Sequence, residues 1–114
     1  MSRLMPFIRS QQAVEVAHTL RIRLYDFAMA LMQARGHDRD ALDCLLVSRP
    51  SLREDHDFWI AACRHNIAQA TKNREEILAA IESAEAIASG RLKVPGKYVQ
   101  GATQMLEKLR RMAV

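Results

Sequence analysis

The sequence predicts an all-α protein: a small bundle of four helices, or five if the longest divides, with one long helix and a dimeric state. Three observations predict it. The chain is rich in Ala, Leu, Arg, Gln and Met, with aromatics at 5%, four glycines and three prolines. That mix favours helices over the β-branched, aromatic make-up of a sandwich. Apolar residues recur at steps of three and four rather than at alternate positions, which is the helical period. Finally, 114 residues at 49% hydrophobic and 26% charged have the size and balance of one globular domain. Residues 1–114 read as that domain, with 1–9 as a flexible N-terminal arm.

The first helix is expected from about Ser10, its N-cap, to Arg35, with Gly36 just past its end. Ala13, Ala17, Leu20, Leu24, Phe27 and Leu31 alternate steps of four and three. A second apolar line runs beside them through Val14, Ile22, Tyr25, Met29 and Met32, interrupted by His18. The solvated face left over is narrow: Gln12, Glu15, Thr19, Arg23, Asp26 and Gln33. A helix so widely apolar needs cover on more than one side. No other feature of the chain says as much about its function.

Gly36-His37-Asp38-Arg39 reads as a turn, followed by a short helix over Ala41–Ser48 that Asp38 or Asp40 caps. Arg49-Pro50 ends it, because the residue before proline is pushed out of the helical region. Ser51-Leu52-Arg53-Glu54 then spells a capping box, and Glu54, Asp55 and Asp57 suit the positive end of a new helix. No Gly or Pro follows until Gly90, and Trp59, Cys63, Ile67, Ala70, Ile77, Ile81, Ala84 and Ala88 keep one face nearly continuous, with Arg74 intruding. One helix over 52–89 would be about 57 Å long. The reading favours this long or kinked rod, with the polar stretch 71–76 as the bend if two helices form. Gly90–Gly96 is a loop. The last helix, over Lys97–Ala113, carries Val99, Ala102, Leu106, Leu109 and Ala113 on one line and Tyr98, Met105 and Met112 on a neighbouring heptad-spaced one. Gly101 either weakens it or admits a close helix contact.

No constellation for catalysis, cofactor or metal binding stands out. Glu15-Val16-Ala17-His18 matches the Glu-x-x-His element of di-iron bundles, but no second copy accompanies it. Cys44 and Cys63 belong to no Cys-x-x-Cys knuckle and read as small buried thiols. Phosphate-binding glycine loops are absent, since Gly90, Gly96 and Gly101 are too far apart. The expectation is a non-enzyme with no cofactor and no metal.

Net charge is +4, unevenly placed. Arg3, Arg9, Arg21, Arg23 and Arg35 outnumber Glu15 and Asp26 at the start; six acids outnumber three arginines over 36–57; and Arg91, Lys93, Lys97, Lys108, Arg110 and Arg111 face only Glu107 at the end. Such segregation steers an acidic partner or lets ends and middle attract one another. The segment Met1–Arg9 lacks the sustained apolar core of a signal peptide, and the run Phe27–Met32 is far short of a membrane span. A cytoplasmic protein with reduced thiols is expected. A helix-turn-helix reading of 41–60 fails on charge, because its recognition helix would open with Glu54, Asp55 and Asp57. The alternative nucleic-acid footprint is the basic last helix, Lys108, Arg110 and Arg111.

Protein binding is the favoured function. An over-apolar first helix and a rod-like third one are difficult to satisfy within one small chain, and a homodimer or a protein partner covers them. Tyr25, Met29, Met32, Trp59, Tyr98, Met105 and Met112 are the candidate contact residues, since methionines and aromatics suit adaptable interfaces. In size, helix layout and lack of enzyme motifs the chain resembles the small bacterial anti-activators of LuxR-type quorum-sensing regulators. The resemblance implies a protein that occludes a transcription factor's ligand-binding or dimerisation surface and so prevents DNA binding; it carries over no individual residue.

Overall fold

A computed structural model describes residues 5–34, 36–48 and 54–113, with side chains from 19 onward. Its described elements are all helical: α1 (Met5–Gln33), α2 (Asp38–Val47), α3 (His56–Thr71), α4 (Arg74–Ala88) and α5 (Gly96–Ala113). α3, α4 and α5 form a three-helix bundle, and α1 with α2 makes a second layer joined to it chiefly through α2 and α3.

α1 starts five residues before the expected Ser10 cap, inside the segment assigned to the N-terminal arm. Pro6 sits in its first turn, where the missing N–H has no intrahelical acceptor to lose. Nothing in Phe7–Arg9 opposes helix, so Ser10 lies in the helix interior. At the other end Ala34 N–H donates to the carbonyls of Ala30 and Leu31, both at 3.2 Å. Gly36 then takes φ 88°, the left-handed conformation that favours glycine. At 29 residues α1 is about 43 Å long, and the molecule measures 60 × 28 × 23 Å. Its radius of gyration, 16.8 Å, exceeds the about 13 Å of a compact chain this long.

α2 begins at Asp38, earlier than expected, and neither Asp38 nor Asp40 caps it; both lie in its first turn, and the N-cap is His37 without a side-chain bond. Arg49-Pro50 and Ser51, the expected stop and cap, lie outside the described residues. α3 starts at His56 rather than Leu52, with Glu54 and Asp55 in the preceding turn.

The favoured long rod over 52–89 does not form. The chain turns back at Lys72-Asn73 and α3 and α4 pack side by side. Lys72 adopts φ 53° and its N–H donates to the Ala68 carbonyl at 2.8 Å. Asn73 caps α4, its Oδ1 accepting from the amides of Glu75 (2.9 Å) and Glu76 (3.4 Å), and both acids suit the helix's positive end. A straight rod would leave one apolar line uncovered. The hairpin instead buries Ala68 against Ile77, Ala80 and Ala84, and α5 adds Leu106 and Leu109. Burial of this kind returns about 25 cal/mol per Å² of apolar surface, which outweighs one strained residue.

Two further clusters complete the interior. Tyr25 and Ala28 of α1 meet Ala41 and Leu45 of α2 and Ile60 and Cys63 of α3. Ala61, Ile87 and Ala102 join α3, α4 and α5, with Phe58, Leu92, Val94, Val99 and Met105 around them. Gly101 serves close contact: a Cβ there would stand 3.0 Å from the Phe58 ring.

Asn73→Ala removes the acceptor of two amides at the hairpin. It should cost about 1 kcal/mol, read as a lower urea midpoint at unchanged slope; an unaltered midpoint would show that packing alone sets the turn.

Candidate functional site

The described apolar side chains of α1 divide between a buried cluster and solvent. Tyr25 and Ala28 are buried, and Met29 and Met32 pack against the same cluster. Leu20 and Phe27 lie about 140–160° round the helix from Tyr25, at 100° per residue. They are 52% and 56% exposed. Leu24 and Leu31 are partly buried beside them. α2 adds the exposed Leu46 and Val47. The outward apolar residues of α1 are therefore Leu20 and Phe27, whereas Leu31 of the same line packs against the Tyr25 cluster.

Six of the seven expected contact residues belong to or pack against the buried clusters. Tyr25 is buried, Trp59, Met29 and Met32 pack on its cluster, Met105 packs around Ile87 and Ala102, and Met112 packs against Leu109 and Ile77. Tyr98 is half-buried. None of the seven is among the exposed large apolar side chains. Periodicity finds both stripes but does not say which turns inward; that is decided by a polar group 30 residues away.

That group is Asp55, in the turn before α3. Its Oδ1 accepts from Tyr25 Oη at 2.7 Å, and its Oδ2 from Trp59 Nε1 at 2.9 Å and Tyr98 Oη at 3.3 Å. One carboxylate thus ties α1, α3 and α5 together. The rings behind it form a seam: Phe58 lies 4.7 Å from Tyr98 and 5.0 Å edge-on from Trp59, centroid to centroid. His56 is buried, its ring 5.7 Å from Tyr25. Its Nε2 lies 2.7 Å from the Leu45 carbonyl, so that nitrogen carries the proton and donates. Burial raises the Asp55 carboxyl, but the bonds from Tyr25, Trp59, its own backbone N–H and Tyr98 outweigh it and hold the group below its ordinary value. In the sequence Asp55 reads only as part of an acidic first turn. The clue it lacked is spatial: three aromatic donors, far apart in the chain, whose polar ends all need an acceptor.

The remaining titratable groups offer little chemistry. Burial and the nearby Asp38 push the Cys63 thiol up to about 12; burial, Asp40 and Asp43 raise that of Cys44. Both are poor nucleophiles and poor metal ligands at neutral pH. Among the described residues no group of three His, Cys, Asp or Glu side chains could hold a metal ion; the side chains of Glu15 and His18 lie outside them. His65 is buried with its Nε2 unpartnered. Burial and Lys108 lower its basicity against a side-chain hydrogen bond to Asn66 that raises it. On the basic last helix, Arg110 lies 3.5 Å from Glu85, which Arg91 also approaches at 4.0 Å. Lys97 stands 4.9 Å over the Tyr98 ring.

Comparison with known protein families, curated proteins and solved structures finds no match to this chain. Among the described residues no helix is long and apolar enough to cross a membrane.

Asp55→Ala strands the buried Tyr25 hydroxyl and should cost about 2–3 kcal/mol, measured by urea unfolding followed through Trp59 fluorescence; a loss below that of Tyr25→Phe would refute its role as the tie. Acid should weaken the fold in two stages. His65 resists protonation when folded, so the unfolded chain binds the extra proton and stability falls as pH drops below about 6.5. The Asp55 contribution is complete above about 4 and disappears as pH falls through its lowered value. His65→Gln should flatten the upper stage and leave the lower one; a profile unchanged above pH 5 would count against it.

Proposed function

We propose that the chain is a non-catalytic regulatory protein of the cytoplasm that captures another protein through the outward stripe of α1, and that in the free state two copies cover the stripe for one another. The observation that carries this is the exposure of Leu20 and Phe27, 52% and 56%, seven residues apart on a helix whose opposite side is already filled. Single exposed apolar residues are ordinary on soluble proteins. Two of them one heptad apart on a single helix have the spacing used by helix-in-groove and coiled-coil partners. The resemblance to anti-activators suggests that the captured protein is a LuxR-type transcription factor, held away from DNA. The nucleic-acid alternative has less behind it, because Glu85 sits between Arg91 and Arg110 and partly cancels the basic face it would need.

The test is the double variant Leu20→Glu, Phe27→Glu. In sedimentation it should shift self-association toward monomer, and it should no longer release a LuxR-type regulator from its operator in a mobility-shift assay, with helicity by circular dichroism retained. Met29→Glu with Met105→Glu, which puts charges into two packed clusters, should instead lower helicity. A folded Leu20→Glu, Phe27→Glu protein with undiminished capture would sink the assignment of this face.

A further inference from the structure

Where the α3–α4 turn meets the last turn of α5, a cavity of about 250 Å³ opens between Lys72, Arg74, Ile77, Leu78, Met112 and Ala113. Ile77, Leu78, Met112 and Ala113 give it an apolar side beside the cations Lys72 and Arg74, and Leu78 is 48% exposed. Its two cations have no carboxylate within ion-pair distance among the described residues. Glu76, in the same turn, is taken by Arg39 at 2.7 Å, and Glu85 serves Arg91 and Arg110. Lys72 is also the one described non-glycine residue with left-handed backbone, φ 53°, whereas the other two such positions are Gly36 and Gly90. A helix end of this shape ordinarily takes glycine. A lysine there accepts backbone strain, and strain of this kind gathers at ligand sites.

We propose that this notch binds a medium-chain carboxylate, with its tail on Ile77, Leu78 and Met112 and its head held by Lys72 and Arg74. At roughly 30 Å³ per heavy atom the volume takes about eight, the whole of a six-carbon carboxylate or octanoate with two atoms outside the opening. The first amides of α4 are not the anion's ligands, because Asn73 Oδ1 already accepts from those of Glu75 and Glu76. Recognition falls to the two side chains, whose charge-assisted bonds are the strong kind. The site is separate from the α1 stripe, so either assignment can fail without the other.

The full chain is titrated with octanoate while the methyl resonances of Ile, Leu and Met are followed by NMR. Saturable shifts are expected at Ile77, Leu78 and Met112 and not at Leu20 or Leu46. Octanamide, with the same tail and no charge, should bind about tenfold more weakly, and acetate should leave the methyls unmoved. Lys72→Gly should weaken octanoate about tenfold while raising the melting temperature, because it relieves the strain as it removes the cation. Arg74→Gln should weaken binding similarly without that gain. Shifts centred on Leu20 and Leu46, equal affinity for octanamide, or full octanoate binding by Lys72→Gly would each overturn the site.

Discussion

The three-way bond at Asp55 orients everything around it. Tyr and Trp bury large apolar area, but only when their polar ends find a partner. Tyr25, Trp59 and Tyr98 come from three helices and share one carboxylate, so a single residue in a turn licenses the aromatic seam between α3 and α5 and the seating of α1 upon it. Gly101 supports the same seam by leaving room for the Phe58 ring. The depressed carboxyl expresses the same fact in another form: the cluster is built for the charged acceptor, and protonation would set a donor against three donors. Once Tyr25 is drawn inward, the helical period leaves Leu20 and Phe27 no choice but the far side.

How much of this is legible in the sequence follows from the range of each interaction. The all-α class, the end of α1 at Gly36, the loop after Gly90 and the span of α5 rest on local signals, and the structure has them close to where the spacing places them. The orientation of α1 was not legible, because two stripes of similar apolarity compete and a partner 30 residues away decides between them. The sequence offers the methionine and tyrosine line as contact candidates without saying which stripe is core, and in the structure Tyr25, Met29 and Met32 pack in or on a buried cluster while Leu20 and Phe27 are exposed. Methionine fills irregular interiors as readily as interfaces, so composition could not separate the two.

The α3–α4 turn is a different kind of omission. Asn73-Arg74-Glu75-Glu76 has the form of a helix start, a capping residue with Glu three positions later. Ile67 and Ile77 flank it on what looks like one continuous face, and that continuity hid the signal. The turn also lacks the glycine that usually marks a helix end, since Lys72 takes the left-handed conformation itself. With no glycine to read, the break could be found only by asking where a 57 Å rod, about four times the radius of gyration of a compact chain this size, would hide its apolar line.

The shape of the molecule bears on how α1 is held. An isolated helix is marginal in water even at fifteen residues, and α1 has twenty-nine, packed chiefly on the ten-residue α2. The cluster that anchors it draws its buried residues from Tyr25 and Ala28, a short stretch near its C-terminal end. Half-exposed leucine and phenylalanine each leave on the order of 1 kcal/mol of burial unrealised, and covering the stripe recovers it while shielding the helix backbone from water. A second surface closing over Leu20 and Phe27 would bury that apolar area, which is the physical basis of the capture proposed for α1.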